Sequence, residues 1–257
     1  MITVTQIGKQ VYILNDRAGC CSNLVLGKEK ALLFDVGCGA DSIAGAVKEI
    51  TDLPLLVIAS HGHFDHIGGS RQFEKIYLSE KDMSILQEYD DILLNKWIKE
   101  MIPEQEEMIP FGADGWHNIC KLDIPSFDLG EMQCQIVPLP GHTEGSVGIF
   151  IPALRLLLSG DALTPIMCLN FQNHLTKEVQ MKTLQCVQQM DFDYYLTSHH
   201  DKCFPKALID RMMKCIEHSY GKKHYAYRYP QPPYAEGYFY LDSVEEEAVG
   251  LIVAEMD

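Results

Sequence analysis

Short apolar runs dominate the first sixty positions. Residues 11–14, 23–26 and 31–36 read as strands separated by polar or Gly-containing turns, the pattern of an antiparallel meander. Between 41 and 50, Ile43, Ala44, Val47 and Ile50 recur at helical spacing. The unbroken apolar run 53–59 predicts a strand buried on both faces, and 76–78 a further short strand. Ser79 and Asp82 then read as a capping box that opens one helix running to Ile102, where Pro103 stops it. Residues 104–117 show no period and read as irregular. A second β-rich stretch follows at 126–129, 133–139, 146–151 and 155–159. Helical spacing returns over 176–190, a strand over 194–197, and a helix over 205–219 with Pro205 at its start and Gly221 just past its end. In the tail, 237–241 and 250–254 read as paired strands. Two β-then-helix halves therefore occupy 1–100 and 126–219 with no low-complexity linker between them. Periodicity by itself supports α/β or α+β.

Composition changes this picture only by exclusion. At 257 residues, 47% hydrophobic and 22% charged, the chain has the make-up of a globular protein long enough to bury a large core. Its nine cysteines include no CxxC pair, and they read as reduced thiols packed as small core residues. The N-terminus has neither a basic nor an apolar segment of the secretory kind, and no apolar run is long enough to cross a membrane. A cytoplasmic location without membrane attachment is the expectation. With 21 basic against 36 acidic residues and a net charge of −15, the chain offers no global positive field for a polyanion, so nucleic acid is a poor candidate partner. Lys222, Lys223 and Arg228 read as a solvated face.

The chemistry concentrates in Ser60-His61-Gly62-His63-Phe64-Asp65-His66-Ile67-Gly68-Gly69, directly after the buried run 53–59. Three imidazoles and a carboxylate within six residues are donors that Zn²⁺, Mn²⁺ and Fe²⁺ accept. The glycines let the backbone turn tightly or approach a metal. His117, His174, His218 and His224 stand apart and read as ordinary surface or structural residues. Trp97, Trp116, Met108, Met167 and Phe171 read as core or lid packing, and the tyrosines from Tyr225 to Tyr240 as support for paired strands.

The HxHxDH segment with its trailing Gly-Gly resembles the signature of the metallo-β-lactamase superfamily. The rest of that family's pattern is present in order along the chain: Ala31–Gly37 with Asp35 before this segment, then Pro140-Gly141-His142-Thr143-Glu144-Gly145-Ser146, Ser159-Gly160-Asp161-Ala162, and Thr197-Ser198-His199-His200 after it. The resemblance implies an α+β fold, a four-layer αββα sandwich of two mixed β-sheets flanked by helices. It implies one domain over 1–257, with lid or pocket insertions near 79–125 and 163–191. It also implies a binuclear site in which His61, His63 and His142 hold one metal and Asp65, His66 and His199 the other, with Asp161 between them. Asp35 would orient a ligand imidazole, and His199 rather than its neighbour His200 would be the last ligand.

Two divalent metal ions are thus expected, Zn²⁺ first, with Mn²⁺ or Fe²⁺ as alternatives. Asp65 is the candidate for orienting the nucleophile or carrying a proton, while Thr143 and Ser146 read as loop hydrogen-bonding groups. The implied activity is hydrolysis of an ester, lactone, thioester or phosphodiester in a small molecule by a metal-bridged hydroxide. Asp161 argues against a true β-lactamase, and Ser146 departs from the histidine that glyoxalase-II-like thioesterases carry. A persulfide-dioxygenase-like non-haem iron enzyme and a metal-binding sensor are the competing expectations.

Overall fold

A computed structural model describes residues 1–104 and 116–255. Most of the irregular stretch read over 104–117, including Met108, lies outside the described residues. The first sheet joins β1 (Thr3–Ile7), β2 (Val11–Asn15), β3 (Cys21–Leu26), β4 (Ala31–Phe34), β5 (Leu55–Ile58), β6 (Ile76–Leu78) and β7 (Ile119–Lys121) in sequential order. Its first four strands pair antiparallel and its last four parallel. A second sheet is built from β8 (Ser126–Asp128), β9 (Gln133–Pro138), β10 (Val147–Ile151), β11 (Leu156–Leu158), β13 (Tyr194–Leu196) and β14 (Phe204–Pro205). The third joins β12 (Ile166–Leu169) to β17 (Val249–Val253), β16 (Glu236–Ser243) and β15 (Tyr225–Arg228). The helices are α1 (Ile43–Ile50), the single turn α2 (Phe64–Ile67), α3 (Asp91–Met101), α4 (Lys177–Gln188) and α5 (Leu208–Ser219).

Strand parity explains the layers. Successive side chains on a strand face opposite sides. On β4, Leu32 and Phe34 point into a core shared with Ile149, Ile151, Leu156 and Leu158 of the second sheet. Ala31 and Leu33 point the other way, onto Ile43 and Val47 of α1. The outer face of the second sheet sends Leu157 and Tyr195 against Leu184 and Val187 of α4 and Leu208, Ile209 and Met212 of α5. Helix, sheet, sheet and helices therefore stack in the αββα order, with the central strands β3, β4, β10 and β11 buried on both faces.

Three elements depart from the periodicity. The helix expected from Ser79 to Ile102 is broken into two 3-10 turns (Glu80–Asp82 and Ile85–Glu88) followed by α3. The Ser79 side chain caps nothing, and Asp90 caps α3 by accepting from the Leu93 N–H. Asp82 is the cause. Its carboxylate is buried and accepts from the N–H groups of Gly62 (2.9 Å) and Gly145 (2.7 Å) and from the Thr143 hydroxyl (2.7 Å). A side chain held by two distant loops is not free to serve a local cap. Pro205, read as a helix start, pairs with Tyr194 as a short strand instead. Part of 163–191, read as lid, enters the third sheet as β12, paired parallel to β17.

Replacing Asp82 with alanine leaves the buried N–H groups of Gly62 and Gly145 without their acceptor and the Thr143 hydroxyl with Ser146 in place of a carboxylate. The expected cost is about 3 kcal/mol of folding stability, read as a lowered midpoint in urea unfolding. An unchanged midpoint would show that Asp82 does not tie these loops together.

Candidate metal centre

Every sequence-predicted site residue sits on one rim of the sandwich, where strands end. The β4–β5 register aligns Phe34 with Ile58, so Asp35 and Ser60 leave adjacent strands side by side. Leu158 pairs with Leu196, which sets the Asp161 turn beside Ser198 and His199. Two hydrogen bonds stitch the sheets together at this rim: Val147 N–H to the Ser60 carbonyl (2.8 Å) and Cys21 N–H to the Ser198 carbonyl (2.7 Å). Helix α2 presents Asp65 and His66 and packs closely on the end of β4. A Cβ at Gly68 or Gly69 would run into the carbonyls of Cys38 and Val36, so neither position admits a side chain.

His61, His63 and His142 form one donor group. His61 Nε2 lies 2.9 Å from His63 Nδ1, which lies 3.0 Å from His142 Nε2. Their outward nitrogens fix the tautomers. His63 Nε2 faces the Gln172 carbonyl at 3.1 Å and His142 Nδ1 the Cys168 carbonyl at 2.8 Å. A carbonyl only accepts, so each of these nitrogens carries the proton and the inward nitrogen carries a lone pair. His61 Nδ1 meets Ser60 Oγ at 2.9 Å, and that hydroxyl donates to Asp35. The inward nitrogen of His61 is then a lone pair as well. Three lone pairs aimed at one point repel one another unless a cation lies between them, and the donor chemistry fits a divalent metal.

The electrostatics agree. Burial, reinforced by the neighbouring imidazoles, pushes His61 well below the usual histidine range. Burial also lowers His63. It carries His142 down to about 4, helped by His63. The trio is neutral, as metal-binding imidazoles must be.

A second group has the opposite character. His66 Nδ1 donates to Asp35 Oδ2 at 2.9 Å, and His66 Nε2 faces Asp65 Oδ2 (3.5 Å) and Asp161 Oδ2 (3.6 Å). His199 Nδ1 faces the Gly19 carbonyl at 3.3 Å, and its Nε2 lies 3.3 Å from Asp65 and 3.2 Å from Asp161. Burial opposes ionisation of both carboxylates, yet His66 and His199 hold them well below the usual range. Burial likewise opposes charge on these two imidazoles, but Asp65 and Asp161 hold both well above theirs. Two carboxylates here demand adjacent positive charge, which a divalent cation supplies. Among the described residues, Asp161 Oδ1 and His66 Nε2 are buried without a hydrogen-bond partner, which also suits a cation between the groups.

Asp161 approaches both groups, reaching His142 Nε2 at 3.7 Å and His199 Nε2 at 3.2 Å with one oxygen. Asp35 accepts from Ser60 N (2.6 Å), Ser60 Oγ (2.9 Å), Ser198 Oγ (2.5 Å) and His66, so it holds the end of β5, the end of β13 and one imidazole together. His200 turns aside and shares a 2.8 Å hydrogen bond with Thr197 Oγ1. Thr143 and Ser146 bond each other within the loop at 2.8 Å.

Sequence reading missed Cys20. It passes as one of nine scattered thiols, all of them free. In the fold its Sγ and the donor atoms of Asp65 and His199 lie within 4.8 Å of one another. The short turn 16–19, closed by the Asp16 carboxylate on the N–H groups of Ala18 and Cys20, puts it there. The signal is long-range, so no local motif carries it.

Over 163 residues the chain is 25% identical to an acyl-coenzyme A thioesterase of Homo sapiens, MBLAC2, covering 54% of this chain and 57% of that protein. It is 29% identical over 160 residues to the hydroxyacylglutathione hydrolase GloC of Haemophilus influenzae, covering 56% and 66%. The chain thus spans little more than half the length of the curated relatives it matches first. Among solved structures, a metallo-beta-lactamase from Pontibacter korlensis superposes with a TM-score of 0.60 at 18% identity, over 84% of this chain and 99% of that one. Residues 17–199 match the family model of the metallo-beta-lactamase superfamily, and the chain belongs to that superfamily.

Proposed function

We propose that this protein is a metal-dependent hydrolase of small thioesters or esters, working with two divalent cations. One observation carries the reading: five histidines have their outward nitrogens engaged and their inward nitrogens aimed at two adjacent points, with Asp161 reaching toward both. His61, His63 and His142 would hold the first cation. Asp65, His66 and His199 would hold the second, with Asp161 shared. Zinc is the expected ion, since imidazole and carboxylate donors suit it. The named relatives favour a thioester over the lactone and phosphodiester alternatives.

When bound, the cations would polarise the acyl carbonyl and lower the pKa of water to about 7. The chain's own residues do the rest. Asp65 is the more open of the two carboxylates, 23% exposed against 12% for Asp161. It faces the cavity and is placed to orient the attacking water and take its proton. Water oxygen bonds to the acyl carbon, the carbon–sulfur or carbon–oxygen bond breaks, and that proton passes to the leaving atom. A carboxylic acid and a thiol or alcohol result. Asp35, through His66, keeps the second donor set in place.

Elemental analysis of natively purified protein, paired with a thioester assay, tests this. Two zinc or manganese ions per chain with hydrolysis are expected, whereas one iron with oxygen consumption would sink the hydrolase reading. Asp161→Ala is expected to lower kcat/KM at least about a hundredfold. Equal activity of variant and wild type would remove Asp161 from the centre.

A further inference from the structure

A cavity of about 390 Å³ lies over the two donor groups, within the size range of small-molecule sites. Its walls are aromatic on both sides. On one, Phe64 and Tyr89 approach Trp97 with ring centroids at 5.0 and 6.0 Å, and Met101 closes that side. On the other, Phe171 packs 5.2 Å from Tyr229 and 5.8 Å from both His63 and His142. The first wall is carried by α2, α3 and the turn before α3, and the second by the loop after β12 and the segment after β15.

The lining also lacks one kind of residue. Among the described residues it contains no lysine and no arginine. The glutamines, Thr164 and the tyrosine hydroxyls supply only neutral polarity. A charged substituent at the far end of a bound acyl group would therefore lose its water and gain no partner. An alkyl chain or aryl ring would lose nothing and bury its surface against the rings.

We propose that the acyl group taken by this cavity is uncharged and apolar, a medium-length alkyl chain or an aryl ring held between the Trp97 and Phe171 walls. This rests on the acyl-hydrolase reading above and adds the substrate class to it. Rate should climb roughly fourfold in kcat/KM for each added methylene, the equivalent of about 0.8 kcal/mol, until the cavity is full.

The test is a set of thioesters of one neutral thiol, N-acetylcysteamine, given to the zinc-loaded protein: acetyl, butanoyl, hexanoyl, benzoyl and adipoyl, the last being hexanoyl length with a terminal carboxylate. Hexanoyl and benzoyl are expected to exceed acetyl at least roughly tenfold, and adipoyl to fall at least tenfold below hexanoyl. Trp97→Ala is expected to flatten the series, and Phe171→Ala provides the same readout should the first variant fail to fold. Hydroxamates of the same acyl groups, whose binding needs no turnover, are expected to follow the same order in Kd. A flat ladder, or a preference for adipoyl, in either rate or binding overturns the proposal. Absence of hydrolysis with an intact hydroxamate ladder would instead reject the hydrolase reading and leave the apolar site standing.

Discussion

Stripping divalent cations from the purified protein is expected to reduce thioester hydrolysis at least about a thousandfold, and re-adding zinc to restore it. The magnitude follows from what the protein lacks without them. His61, His63 and His142 are neutral, and His66 and His199 serve two carboxylates, so among the described residues no unpaired cationic side chain lines the cavity. The same removal should lower the unfolding temperature. Lone pairs of His61 and His142 brought to 2.9 and 3.0 Å from that of His63 are unfavourable, and a ligand at a thousand times its Kd stabilises the folded state by about 4 kcal/mol. Calorimetric unfolding with and without chelator reads this directly. Activity and unfolding temperature both indifferent to chelation would refute the metal reading altogether.

The second large effect is expected at Asp35. Asp35→Ala takes the acceptor away from three hydroxyl or N–H donors and from His66, all of them buried. Breaking a buried pair of this kind costs about 3–5 kcal/mol. Asp35→Asn separates positioning from folding. Its backbone φ of 65° is one that asparagine accepts, so the turn survives while His66 loses its anionic partner. Weakening of the second cation by about 10- to 100-fold is expected, with the trio's cation weakened less, because Asp35 reaches His61 only through Ser60 Oγ. A zinc titration followed by calorimetry should then resolve two separated steps. Equal weakening of both, or of neither, would contradict the assignment of Asp35 to His66.

How much of this is legible in the sequence depends on how far apart the cooperating groups lie. His61, His63, Asp65 and His66 are legible because they share one turn after one strand. His142, Asp161 and His199 are readable only as family blocks, since nothing local distinguishes a turn histidine from a ligand. Asp82 is misread as a cap because its partners Gly62, Thr143 and Gly145 are twenty or more residues away. Strand β1 escapes because its exposed, polar-rich sequence gives little alternation, and β12 because a short apolar run says nothing of its partner eighty residues on. Burial by tertiary contact, and not propensity, decides each of these.

The carbonyls of Cys168 and Gln172 bracket Phe171. The stretch that shapes one wall of the cavity is therefore the same stretch that assigns the protons of His142 and His63. Evolution can exchange the side chain at 171 and reshape the cavity. It cannot lengthen or delete this piece of backbone without disturbing how the histidines present themselves. Diversification of substrate along this lineage should accordingly proceed by substitution on a fixed main chain here, leaving insertions to places that touch no histidine.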